Sequence, residues 1–190
     1  MPAGSLYYVV GASGAGKDSV LRYARAALGR DHEVLFATRY ITRPRRSGGD
    51  DHIALGTGEF LLRKRRGLFA MDWESHGFRY GIGVEIDAWL AQALTVVVNG
   101  SRSYLPIARE RYPQLEAVWI TARPQNLAAR LAQRGRETRD QIAARLRRNA
   151  KLGSTPAANE LHISNDGPLE TAGSRFVCLL REGRSNPGLL

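Results

Sequence analysis

SLYYVVGASGAGKDSVL, residues Ser5 to Leu21, reads as strand, glycine-rich turn and helix. Leu6 to Val10 is a short apolar run suited to a buried parallel strand. Val20, Leu21, Ala24, Ala27 and Leu28 then recur at helical spacing. Between them, Gly11-Ala12-Ser13-Gly14-Ala15-Gly16-Lys17 matches the first seven positions of the phosphate-cradling loop G-x-x-x-x-G-K. Glycines let the backbone wrap an anion closely, so that amides and a helix N-terminus face the phosphates. Lys17 then reaches the β- and γ-phosphates. The eighth position, ordinarily a Ser or Thr whose hydroxyl meets magnesium, is Asp18, with Ser19 next. Two readings of Asp18 stand. It holds the metal directly or through water, since magnesium prefers oxygen ligands, or it is a first-turn acid favoured by the helix dipole.

The 190-residue chain is long enough for one domain with a real core. No apolar run is long enough to span a membrane, and the N-terminus lacks a basic region leading into an apolar segment. The single cysteine, Cys178, excludes an internal disulfide and thiolate metal clusters. These features lead us to expect a cytoplasmic protein. Net charge is +10, from 28 Lys+Arg against 18 Asp+Glu, and only Lys17, Lys64 and Lys151 are lysines. A basic balance suits nucleic-acid binding, which needs a basic stripe or a known module, or a site that holds several phosphates. Trp73, Trp89 and Trp119 sit in apolar surroundings and read as core, not as base-stacking platforms.

Downstream, Glu33 to Ala37 reads as a strand, then Thr38 to Arg46 as a loop with four arginines (Arg39, Arg43, Arg45, Arg46) within eight residues. Guanidinium groups pair phosphates bidentately, so this cluster reads as an anion-binding loop. Helices are expected at Glu59–Arg66, Val84–Ala93, Tyr104–Arg111, Pro124–Gln133 and Asp140–Leu152. Strands are expected at Leu68–Glu74, Thr95–Asn99, Ala117–Thr121, Leu161–Asn165 and Phe176–Leu180. Ser75 to Gly83 reads as a turn-rich segment. The alternation indicates an α/β fold with a parallel sheet flanked by helices. Asn99, Ser101 and Arg102, at a strand's carboxyl end, fall near any site at the end of the first strand.

Five blocks in order resemble the guanylate kinase family: the phosphate loop, Thr42-Arg43-Pro44 with Arg46, Ser75-His76-Gly77 with Tyr80-Gly81, Arg134-Gly135 with Glu137 and Arg145, and Ser164-Asn165-Asp166. The departures lie in the acceptor region. Counting back from Gly77, the carboxylate with which guanylate kinases read guanine becomes Met71. A serine of the acceptor loop becomes Arg39, and a phosphate-binding tyrosine becomes His52. A thioether cannot accept the hydrogen bonds of a guanine edge, and the lost carboxylate and gained cation suit an acceptor with more phosphate and no guanine. GASGAGKDS, RYITRP, GLFAMDWESHGFRYGIGVEIDAWL, VVVNGSR and RGRE resemble the ribose 1,5-bisphosphate phosphokinase branch, which serves phosphonate breakdown.

That resemblance implies a P-loop kinase of guanylate kinase-like fold, using ATP and Mg²⁺ on ribose 1,5-bisphosphate, with no nucleic-acid or membrane partner and a homodimer left open. It implies one domain over residues 1–184, an acceptor-binding insertion at about 39–83, a lid at about 130–145 and a tail at 185–190. Its nucleotide site would be Gly11, Ala12, Ser13, Gly14, Ala15, Gly16, Lys17, Asp18 and Ser19 with Arg130 and Asn165. Its acceptor site would be Arg39, Arg43, Arg46, His52, Glu74, Tyr80, Asn99 and Arg102. Lys17, Arg134 and Arg145 would be catalytic, with Arg136 closing beside Arg134, and Asp18 would hold the metal. The rival readings are a true guanylate kinase, a non-catalytic binding module of the same fold, which would typically lack the phosphate loop, and a basic nucleic-acid binder.

Overall fold

The computed structural model describes residues 4–29, 33–44, 52–133, 147, 149 and 160–185. Its central sheet is parallel and five-stranded, in the order β2-β7-β1-β8-β9. These strands are β1 (Leu6–Gly11), β2 (Val34–Phe36), β7 (Thr95–Asn99), β8 (Glu116–Thr121) and β9 (Leu161–Ser164). β1 lies between β7 and β8, with Val9 opposite Asn99 and Gly11 opposite Ile120. Its apolar run is continuous because both faces are covered, as in parallel sheets generally.

Strand alternation divides that run. Tyr8 and Val10 join Val96, Val98 and Trp119 in one cluster, closed by Ile86 of α3 (Glu85–Ala91) and by Leu105 and Ala108 of α4 (Leu105–Arg111). Tyr7 and Val9 join Val97, Val118 and Ile120 on the opposite face. There they meet α1 (Lys17–Ala27), through Val20, Leu21 and Ala24, and Leu127 of α5 (Pro124–Gln133). The same cluster takes Ala172, Phe176, Val177 and Leu180 of the last helix, α6 (Leu169–Ser185). Phe176 and Leu180 are fully buried, each stabilising the fold by about 1.5–3 kcal/mol.

A second, four-stranded sheet has the order β4-β3-β6-β5. It comprises β3 (Arg39–Ile41), β4 (His52–Ala54), β5 (Phe69–Ser75) and β6 (Phe78–Gly83), with α2 (Thr57–Arg65) between β4 and β5. Phe60 of α2 seals it against Phe69, with ring centroids 4.7 Å apart. β5 and β6 form a hairpin in which Ser75 pairs with Phe78. His76 and Gly77 between them both have positive φ, 53° and 75°, the conformation required at both centres of a type I′ turn.

Three expectations need correction. Phe176–Leu180 is not a strand but the middle of α6. Its apolar residues continue a helical repeat from Ala172 through Phe176 to Leu180, and a five-residue apolar window cannot tell the two periods apart. Arg39–Ile41 is strand, not loop, because it pairs with both β4 and β6. Phe78–Gly83 is likewise strand, and its glycines sit within a ladder instead of turns. Arg45, Arg46, Arg134, Arg136, Arg145, most of the expected Asp140–Leu152 helix and the tail from residue 186 lie outside the described residues. Among the described residues no helix is long and apolar enough to cross a membrane.

Candidate active site

The phosphate loop leaves the carboxyl end of β1, where a parallel sheet gathers ligands. Gly16 is the N-cap of α1 in the left-handed conformation, φ 87° and ψ 20°, and contributes no side-chain cap. The first amides of α1 therefore keep no side-chain partner from their own cap, and they suit an anion. Gly16 is also required by close packing: a Cβ there would lie 2.3 Å from Asn165 Nδ2. Lys17 folds back along the loop, its Nζ donating to the Gly11 carbonyl at 3.2 Å.

Asp18 links three elements. Its Oδ1 accepts from Asn99 Nδ2 of β7 at 2.6 Å and from Arg39 Nη2 of β3 at 3.2 Å. The Asp18 side chain is 36% exposed and that of Arg39 only 13%. Asn99 is buried, and its Oδ1 has no hydrogen-bond partner among the described residues. An orphaned buried acceptor costs about 1–3 kcal/mol unless something donates to it. A carboxylate beside an unmet amide oxygen fits a hydrated magnesium ion, which favours oxygen ligands and keeps its waters. Among the described residues no three His, Cys, Asp or Glu side chains gather as a metal cluster. Phosphate oxygens and water would therefore complete the shell around Asp18.

The main cleft, about 160 Å³, lies between the two sheets and is lined by Lys17, Asp18, Arg39, Trp73, Tyr80 and Arg102 among others. Trp73 and Tyr80 are register partners across β5 and β6. Their rings stack with centroids 5.6 Å apart and planes 4° apart. Sequence reasoning took Trp73 for core alone. It is 8% exposed, and its remaining surface is part of the cleft wall.

Asn149 was missed altogether. It is 5% exposed and lines the cleft. Its Oδ1 accepts from Ser13 N–H at 3.1 Å and from Arg102 Nη2 at 2.7 Å, and its Nδ2 donates to the Ser13 carbonyl at 3.2 Å. Arg102 Nη1 also donates to the Asn149 carbonyl at 3.3 Å. Nothing in the local sequence signals this, because the contact spans 136 residues.

The other side of the loop carries a second cavity, lined by Gly14, Gly16, Ser19, Arg130, Asn165 and Leu169 among others. Asn165 Nδ2 donates to the Ala15 carbonyl at 2.7 Å, and Arg130 Nη2 donates to the Asn165 carbonyl at 2.7 Å. Asp166 fixes this turn by accepting from Arg123 N–H, Asn126 Nδ2 and Ser164 Oγ. The Arg123 amide above all holds its carboxyl below the usual range.

Four of the described residues expected at the acceptor site, Arg43, His52, Glu74 and Asn99, are not in the main cleft's lining, and Asn99 lines an adjoining cavity instead. His52 is 3% exposed, with Nε2 3.2 Å from the Arg43 carbonyl. Arg43 is half-buried and is not part of the cleft wall. Glu74 is exposed and pairs with Arg79 at 3.1 Å. Met71, at the guanine-reading position of the resemblance, is 1% exposed and packed in the core.

Comparison with known proteins follows the same lines. No family model matches the chain. The chain is 52% identical over 182 residues to ribose 1,5-bisphosphate phosphokinase PhnN of Thiobacillus denitrificans, covering 96% of this chain and 95% of that protein. It is 52% identical over 180 residues to the protein of that name in Burkholderia pseudomallei, covering 95% and 97%. Chromobacterium violaceum has a third, 51% identical over 181 residues, covering 95% and 96%. Among solved structures, guanylate kinase from Anaplasma phagocytophilum superposes with a TM-score of 0.69 at 16% identity, covering 95% of this chain and 86% of that one. That likeness concerns the fold, which is guanylate kinase-like.

Proposed function

The chain belongs to the ribose 1,5-bisphosphate phosphokinase family, and from that premise we infer that it is a kinase which transfers the γ-phosphoryl group of ATP to the 1-phosphate of ribose 1,5-bisphosphate. The products are 5-phospho-α-D-ribose 1-diphosphate and ADP. The observation that carries this reading is that the phosphate loop's Lys17 and Asp18 share one cleft with Arg39, Arg102 and Tyr80. Donor and acceptor groups thereby face each other, and the position that would read a guanine is a sealed thioether.

Phosphoryl transfer rests on positioning and on charge stabilisation. The acceptor phosphate is already nucleophilic at neutral pH, so neither His52 nor His76 is needed as a general base. The barrier comes largely from bringing two anions together. Lys17 leaves the Gly11 carbonyl and neutralises the β- and γ-phosphates. The loop amides and the N-terminus of α1 hold the same phosphates. Arg130 and Asn165 line the adenine side. Tyr80 and Arg102, which line the cleft, hold the acceptor's reacting phosphate and Arg39 holds its distal one, while Arg43 and Arg46 are assigned there by the family resemblance alone. The family resemblance would assign Arg134, Arg136 and Arg145, which lie outside the described residues, to the transferring group. Asp18 would hold a magnesium ion, which would supply charge neutralisation to the nucleotide phosphates. We place the reaction in the cytoplasm, where ATP is supplied.

A coupled ADP-release assay with Mg·ATP tests this, running ribose 1,5-bisphosphate beside GMP. ADP release with the bisphosphate alone, and a diphosphate product in the phosphorus NMR spectrum, is the expected result. Turnover of GMP alone would overturn it in favour of a guanylate kinase.

A further inference from the structure

Asp18 already carries a cation. Arg39 Nη2 lies 3.2 Å from Asp18 Oδ1, the same oxygen that Asn99 Nδ2 meets at 2.6 Å. This pair stands between two compartments. The main cleft lies on one side. A smaller cavity of about 90 Å³, lined by Leu21, Arg22, Phe36 and Asn99 among others, also counts Asp18 and Arg39 in its wall. The three side chains come from separate elements: the first turn of α1, the end of β7 and the small sheet.

A guanidinium on a carboxylate competes with any metal ion for that carboxylate, since both are cations and both want the same oxygens. A phosphate dianion matches the guanidinium fork at least as well as a carboxylate and carries more charge. An arriving phosphate therefore draws Arg39 away. We propose that Arg39 is a positioning residue that acts through Asp18: it occupies the carboxylate until the acceptor's phosphate takes the guanidinium, and only then is Asp18 released to the metal of the nucleotide complex. Asn99 stays on Oδ1 and keeps the carboxylate oriented. The inference rests on the acceptor reading above, in which Arg39 meets the distal phosphate.

Two consequences follow. Coupling of binding free energies is reciprocal, so the acceptor tightens metal binding by the factor by which the metal complex tightens acceptor binding, on the order of 5–150-fold. Nucleotide bound alone also holds its metal poorly, which restrains loss of the γ-phosphoryl group to water until an acceptor is present.

The test is manganese binding followed by electron paramagnetic resonance on the full chain. Mn²⁺ is titrated with the β,γ-imido analogue of ATP, with and without ribose 1,5-bisphosphate. The wild type should bind Mn²⁺ at least about fivefold more tightly with the bisphosphate. Arg39→Gln should bind it tightly without the bisphosphate and gain nothing from it, while Arg39→Lys should retain part of the coupling. Asp18→Asn should bind weakly in both states. An acceptor-independent affinity in the wild type, or coupling that survives in Asp18→Asn, overturns the inference. Bisphosphate turnover by the same preparation separates the two layers: turnover without coupling rejects this inference alone, and no turnover rejects the reading beneath it.

Discussion

Asn149 and Ser13 are joined by two hydrogen bonds, Ser13 N–H to Asn149 Oδ1 at 3.1 Å and Asn149 Nδ2 to the Ser13 carbonyl at 3.2 Å. The clasp fixes the phosphate loop at its third residue, and Arg102 braces it from the other side. Asn149→Ala leaves Ser13 N–H and a half-buried guanidinium without this acceptor. We expect a stability loss of about 1–3 kcal/mol and a higher KM for ATP. Urea unfolding with an unchanged slope and a lower midpoint checks the first. An unaltered midpoint would show that the clasp contributes nothing.

Lys17 has a different kind of role. Its ammonium donates to a carbonyl of its own loop, which keeps it beside the phosphates that the loop would hold. Lys17→Ala should lower turnover by roughly 10²–10³ or more, the range for one lost transition-state donor, with little change in Tm. The coupled assay and a thermal melt are measured on one sample. Near-normal turnover would remove Lys17 from the mechanism.

Gly16 meets two constraints at once, a φ of 87° and the Asn165 amide beside it. Gly16→Ala forces a side chain onto a left-handed backbone, at a cost of about 1–2 kcal/mol, and must also push Asn165 off the Ala15 carbonyl. We expect both a lower Tm and weakened ATP binding by calorimetry. Wild-type ATP affinity in the Gly16→Ala variant would mean that the loop can relax without losing its shape.

Asp166 sets a pH window. Its folded pKa is depressed below 3.8, mainly by the Arg123 amide. A depressed carboxyl contributes stability that is full above the unfolded value and lost as pH falls through the folded one. Wild type should therefore exceed Asp166→Asn in denaturant midpoint at pH 5, with the gap closing below about pH 3.8. A gap independent of pH would assign the difference to packing. The Arg123 ion pair adds little, since that side chain is 73% exposed.

The phosphate loop and the strand and helix around it are legible in the chain read alone, because spacing, glycine and local period are properties of consecutive residues. The parallel core is legible in the same way: Thr95–Asn99 needs only its own apolar run to be read as a strand. Most of the expected Asp140–Leu152 helix, with Arg134, Arg136 and Arg145, falls outside the described residues. The rest depends on contacts between distant segments. Arg39 reads locally as a loop arginine and becomes a strand residue on a helix carboxylate, because β3 finds partners in β4 and β6. Phe176 reads equally as strand or helix until the apolar face of the central sheet selects the helical period. Asp18 meets Asn99, 81 residues away, because β7 pairs beside β1. Strand order is settled by packing and crossover over the whole domain, and no short window of residues encodes which strand will lie beside which.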